Sequence, residues 1–342
     1  MTFAPPPIDE LFEEQRRIWI ECLDHQDPRT GHLESHCVMA QLTTMLWDSA
    51  AYNIVVGARA CAEPEADGEL KINALTHCLL DRCFFQSQLM GIRRLLEKKS
   101  PTDKKLGVYS LAWIVSDLEK HQTMFTRRNL FAAFKRSMDC EAIASAEHDY
   151  CEKQRSAGVE SFYIPREFDA ASSVSLHADI DRLCGVSAES RKDGDVIHAR
   201  VFEGLTFQLA RIEGLCHHVN KFVAHAATPA SRDVLDETAW SVTYSQIREA
   251  QEILYRTCQF IDRFLLRQTT SHGVPLTAGD PLKYIDQPFA RRDQVEALRA
   301  SWADFECEAA SWSATNLEWV LHRPSSLQSV QEHQHGTPEN SK

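Results

Sequence analysis

The chain has 342 residues, 43% apolar and 25% charged, with 49 Asp and Glu against 37 Lys and Arg, for a formal charge of -12. That acidity disfavours wholesale electrostatic attraction to nucleic acid or an anionic membrane, because the average field repels phosphate. No apolar run approaches the roughly 18 residues of a membrane span. The eleven cysteines show no C-x2-C spacing, and no apolar leader follows Met1, so a soluble protein of the reducing cytoplasm is expected.

Only 13 Gly and 13 Pro interrupt the chain. Its apolar residues recur every three or four positions, which predicts an all-α fold, a bundle of long antiparallel helices. A first helix follows Pro5-Pro6-Pro7 and ends near Leu23, filling an N-terminal segment over residues 1–32. A second, from about Leu33 to Cys61, carries Val38, Leu42, Met45, Ala51 and Ile54. After a loop through Pro64 and Gly68, a third from about Glu69 to Lys99 sets Ile72, Leu75, Leu79, Cys83, Leu89, Ile92 and Leu96 on one inward side. Tyr109 to His121 forms a shorter helix, and Thr126 starts another that reaches Met138 or beyond. Residues 155–195 are an irregular insertion holding a short helix from Leu176 to Cys184. From Val196, the residues Val201, Leu205, Leu209, Ile212, Cys216, Val219, Val223 and Ala226 form one continuous seam, stopped by Thr228-Pro229. Asp236-Glu237 opens a last long helix to about Arg267, closing a bundle over 33–268. A C-terminal helical extension spans 269–322, and 323–342 has the composition of a disordered tail. Trp47, Trp113 and Trp240 fall inside helical patterns and are expected in the core rather than as base-stacking platforms.

Charge is unevenly placed. From Arg93 to Arg136 there are eleven Lys and Arg against four acids, a segment of +7 in an acidic chain. Arg93, Arg94, Arg127 and Arg128 are its candidate phosphate contacts, with solvated helix faces as the plain alternative.

The richest chemistry lies in His217-His218-Val219-Asn220-Lys221-Phe222-Val223-Ala224-His225. On a helix of 3.6 residues per turn, Arg211, Gly214, His218, Lys221 and His225 share one stripe beside the apolar seam. A phosphodiester held by Lys221 and Arg211 would lie close to His218 and His225, one imidazole acting as base and the other as acid. The same residues also suit the C-terminus of an ordinary solvated helix, where cations are favoured by the macrodipole. Glu213, His217, His218 and His225 include metal-ligand types, but no second Glu-x-x-His motif accompanies them. Neither a metal nor another cofactor is expected. There is no G-x-x-x-x-G-K-[ST], G-x-G-x-x-G or G-x-S-x-G, so P-loop, dinucleotide and hydrolase-elbow chemistry lack support.

The segment from His218 to Ala224-His225-Ala226, at the end of a long helical pattern, resembles the C-terminal signature of HEPN-domain proteins, an all-helical group that includes abortive-infection and toxin proteins. Ile92-Arg93-Arg94-Leu95-Leu96, Ser110-Leu111-Ala112-Trp113 and Thr126-Arg127-Arg128 resemble helical segments of the same group, and the likeness covers residues 33 to 268. It implies a bundle that homodimerises, with paired motifs cleaving RNA without metal: an Arg stabilises the phosphate and a His activates the ribose 2'-hydroxyl. Carried onto this chain, the catalytic candidates are His225, His218, Lys221 and Asn220. The sequence departs from the family pattern in one respect, since no Arg stands four to six residues before His225. The expected function is RNA binding or metal-independent RNA cleavage of a defence or toxin type, with RNA and a protein antitoxin as candidate partners. Its alternative is a non-catalytic helical interaction module that has lost the motif Arg.

Overall fold

A computed structural model of the chain describes residues 5–25, 36–60, 73–103, 107–161, 163–165, 169–223 and 241–266, with helical pieces at 295–297, 299–300, 303–304 and 307. The chain divides into two compact units, Met1–Leu276 and Thr277–Lys342. The first unit is all-α, with ten α-helices among the described residues. These are α1 Glu10–Asp24, α2 Val38–Ala60, α3 Ala74–Leu95, α4 Leu111–Lys120, α5 Arg127–Ala133, α6 Cys140–Ser156, α7 Ala170–Cys184, α8 Ala199–Ala210, α9 Gly214–His218 and α10 Tyr244–Phe260. In the second unit the described pieces are helical, and Arg299 pairs with Glu296 at 2.6 Å.

Side-chain caps explain where the helices begin. Asp9, Asn73, Ser110, Thr126, Asp139, Asp169 and Thr243 each accept a hydrogen bond from an otherwise orphaned backbone N–H in the first turn. Thr243 and Gln246 do so reciprocally. At the other end of α7, Gly185 takes a left-handed conformation, φ 69°, that a glycine adopts without steric penalty.

The core gathers around α1, α4 and α8. Trp19 of α1 is fully buried, stacks on Phe125 at 5.4 Å and donates its indole N–H to Asp117 of α4 at 2.9 Å. Phe12 and Phe202 reach the same Phe125 ring at 5.3 and 5.5 Å. Trp113 is buried as expected, whereas Trp47 is 40% exposed and Trp240 lies outside the described residues.

Four sequence expectations change. The helix from Thr126 stops at Ala133, because Lys135 turns into the left-handed region at φ 54°. A separate α6, Cys140–Ser156, follows it. The short helix of the insertion begins at Ala170, six positions before Leu176, because Asp169 caps it. The seam from Val196 is not one α-helix. Ile212, Glu213, Leu215 and Cys216 each donate to the carbonyl three residues back, and Val219–Val223 widens into a π turn. Tightening the helix at 211–213 buries Leu215 beside Val219 and leaves Cys216 half-exposed. Finally, Leu75 and Leu79, predicted inward, are 60% and 51% exposed. The inward face of α3 is the one carrying Phe84, Gln88, Ile92 and Leu95. Among the described residues, no helix is long and apolar enough to cross a membrane.

Candidate functional site

The tight turn at 211–213 and the π turn at Val219–Val223 lie at either end of α9 and set the directions of the candidate side chains. Arg211 and His218 line one open cleft of about 280 Å³, together with Ser241, which precedes α10, and Gln246 and Glu249 from its first turns. The stripe read from sequence is therefore brought against a neighbouring helix. Within the cleft the Arg211 guanidinium is held by Glu249 at 2.6 Å and by Gln208 at 2.8 Å. The His218 ring stacks on Phe222, one turn on, at 4.8 Å and 24°. Lys221 is half-buried on the π turn. Asn220 is also half-buried, and its Oδ1 lies out of solvent with no hydrogen-bond partner among the described residues. His225 lies outside the described residues.

The last turn of α3 supplies a second cation to this neighbourhood. Burial pushes the Cys216 thiol up to about 11, Glu213 adds to that effect, and the charge of Arg93 opposes it. Arg93 therefore stands close enough to α9 to act on it electrostatically. Lys98 pairs with Glu213 at 3.3 Å. Arg94, on the same turn of α3, is exposed.

Arg127 and Arg128 are placed elsewhere, at the first turn of α5. Arg128 is exposed, but Arg127 is only 1% exposed and all three of its guanidinium nitrogens donate hydrogen bonds. It donates to Asp181 at 2.7 Å, to Asp195 at 3.1 and 3.3 Å, and to His177 Nδ1 at 3.1 Å. Arg136 is also buried, 3.7 Å from Asp169. The +7 of the basic segment is thus not a single surface field, since two of its guanidiniums are turned inward.

The Arg127 cluster is the most elaborate polar arrangement in the described residues, and no local spacing in the sequence reveals it. Its partners are 50 to 68 positions away along the chain. Arg191 adds a bidentate pair to Asp181, with contacts of 2.6 to 2.9 Å. Burial would raise the Asp181 carboxyl, but hydrogen bonds from Arg191 and Arg127 hold it below its ordinary value. His177 sits between the Met138 carbonyl, 3.0 Å from Nε2, and the Arg127 donor at Nδ1. That geometry fixes the neutral ring with its proton on Nε2. Burial first, and then Arg191 and Arg127, push its pKa below 6.5.

A pH dependence follows from these two groups. The unfolded chain takes up a proton at His177 near 6.5 while the folded chain refuses it. Stability is therefore full above that value and declines as the pH falls below it. A second decline begins below about 3.8, the ordinary value of Asp181, where the unfolded chain takes up a proton that the folded carboxylate refuses, and it ends once the folded carboxylate is protonated as well. Urea midpoints measured across this range should show the first decline in the native chain and a flatter one in His177→Gln, which preserves one donor and one acceptor. An unchanged decline in that variant would assign it to other groups.

Chemically, the Arg211 and His218 cleft offers a guanidinium with N–H groups to spare beyond its two partners and an imidazole on the same wall. Those are the parts needed to hold a phosphate and to accept a proton. Among the described residues, no group of three or more His, Cys, Asp or Glu is arranged to hold a metal ion. Comparisons of the chain with protein-family models, curated proteins and solved structures gave no match.

Proposed function

We propose that the chain is a helical RNA-binding protein of defence or toxin type, a cytoplasmic homodimer that engages the RNA backbone at the Arg211 and His218 cleft. The observation that carries the reading is that one cleft of about 280 Å³ is lined by both side chains, while the helix that carries Arg93 in its last turn, α3, packs against α9. In the cleaving form of this reading, a cation holds the phosphate while an imidazole takes the 2'-hydroxyl proton, with no metal required.

The test is binding of a fluorescent single-stranded RNA at low salt, followed by the same RNA pool incubated in a metal chelator. Arg211→Ala is expected to weaken binding roughly tenfold, the loss of about one charge-assisted hydrogen bond. It also leaves Glu249 uncompensated beside the phosphate. Native protein that binds no RNA at low salt overturns the reading. Binding without cleavage restricts it to recognition.

The 2.6 Å pairing of Arg211 with Glu249 favours a second reading, a non-catalytic interaction module that docks a protein partner. There the carboxylate serves as a permanent counter-ion and Arg211 buttresses the contact between α8 and α10. Unchanged RNA affinity in Arg211→Ala would select it.

A further inference from the structure

Helices α2, α3 and α10 meet over a buried polar network. Gln88 of α3, Ser49 of α2 and Gln251 of α10 are 0%, 1% and 3% exposed. The Met45 carbonyl can only accept, and the amide nitrogens of both glutamines face it, at 3.3 and 3.4 Å. That sets the orientation of the two amides. Nε2 of Gln251 also lies 2.8 Å from Gln88 Oε1 and within hydrogen-bond reach of Ser49 Oγ. The other end of the same amide is different: Gln251 Oε1 is out of solvent with no hydrogen-bond partner among the described residues. A buried acceptor in that state destabilises by more than a made hydrogen bond contributes, so its presence calls for a reason.

Gln251 and Ser49 are also the deepest residues of a cavity of about 700 Å³ between α2 and α10, a size that suits a small organic molecule. Leu46 and Ala50 of α2 and Tyr255 of α10 give it apolar and aromatic walls. Four charged side chains line it, and three of them are already matched. Glu252 pairs with Arg256 at 2.9 Å, and Glu249 pairs with Arg211 of the neighbouring cleft at 2.6 Å. The fourth, Arg248, is exposed and makes no ion pair or hydrogen bond among the described residues. The unbalanced charge of the cavity is therefore one guanidinium.

We propose that this cavity binds a nucleoside monophosphate whose base carries an amino group. The phosphate meets Arg248, whose planar fork can take two of its oxygens. The flat base lies against Tyr255, between the apolar walls. Its amino group donates to Gln251 Oε1. Because Nε2 is held by the network beneath, Gln251 offers the ligand an acceptor and no donor, so the ligand must bring the hydrogen. A single unbalanced cation beside two acids also favours one phosphate over a polyphosphate chain, whose further charges would face Glu249 and Glu252. Admitting the amino group to Oε1 requires the lining side chains to part slightly, a rotamer change with the helices in place. The site shares Glu249 with the Arg211 cleft and none of the RNA chemistry proposed there.

Isothermal titration calorimetry of the full chain with adenosine monophosphate at low salt is the test. A dissociation constant of about 10 to about 100 µM is expected for a ligand of this size. Two changes to the ligand leave the fold untouched. Adenosine lacks the phosphate and purine riboside monophosphate lacks the amino group, and each is expected to bind roughly tenfold more weakly. Arg248→Ala should lower the affinity for adenosine monophosphate to that for adenosine, and leave adenosine itself unchanged. A dissociation constant above about 1 mM for the native chain, or equal binding of adenosine monophosphate and either comparison ligand, overturns the proposal. So does a loss in Arg248→Ala that falls equally on adenosine. A native chain that binds this nucleotide and no RNA overturns the preceding reading and leaves this one standing, and a chain that binds RNA without the nucleotide does the reverse.

Discussion

Replacing Arg127 with alanine is expected to lower the unfolding free energy by about 3–5 kcal/mol, the range for breaking a buried ion pair by removing one partner. The guanidinium is 1% exposed and its two carboxylates, Asp181 and Asp195, are 13% and 10% exposed. Truncation leaves both acids out of water. Asp181 retains Arg191, while Asp195 retains the backbone N–H of Lys192 at 2.9 Å. His177 also loses the donor to its Nδ1. Arg127→Lys should recover only part of the loss, because an ammonium supplies a charge without the planar fork that reaches Asp181, Asp195 and His177 together. Urea denaturation followed by helix circular dichroism measures the difference. A change below about 1 kcal/mol in Arg127→Ala would mean that the cluster is solvated or rearranges, contrary to the burial described.

Trp19→Ala is expected to have a comparable effect, about 3–5 kcal/mol for removing a large buried aromatic side chain. Trp19 is fully buried, and it joins α1 to α4 through Asp117 and to Phe125 by stacking. Asp117 keeps the Gln15 amide at 2.7 Å, so most of the loss is packing rather than an orphaned acceptor. Trp19→Phe separates the two contributions, since it retains much of the ring contact and loses the N–H. Guanidinium unfolding of both variants is the check. Near-native stability in Trp19→Ala would show that α1 is peripheral to the cooperative unit.

The parts of the fold that were legible in the sequence are those governed by local chemistry. Thr126 marks a helix start because its hydroxyl captures a first-turn N–H, and the inward residues Leu111, Ile114 and Leu118 of α4 are all fully buried. The break at 211–213 was not legible. An apolar recurrence of three and four residues fits either hydrogen-bond register, so Leu209, Ile212 and Val219 form a seam whichever is adopted. The cleft was legible as a polar stripe, but not the Glu249 that holds its arginine, since Arg211 and Glu249 are 38 positions apart. Arg127 shows the same limit: a surface cation and a buried clamp are one letter until Asp181 and Asp195 are brought to it. Leu75, Leu79 and Cys83 show another. Periodicity identifies an apolar side of a helix without specifying what covers it.

One small contact has a larger bearing on how this chain can change. Thr126 and Val196 form an isolated antiparallel bridge, reinforced by Arg127 N–H to Asp195 O at 2.8 Å and Ile197 N–H to Phe125 O at 3.0 Å. The polypeptide thus enters and leaves the segment of α5, α6 and α7 at one spot, even though Phe131, Leu176 and Ile180 of that segment pack in the shared core. Because exit and entry are fastened to each other, the stretch between α6 and α7 can lengthen or shorten without shifting α4 against α8. Variation among descendants of this protein should concentrate there, and a reporter domain inserted between α6 and α7 should be accommodated where one inserted between Phe125 and Arg127 would not.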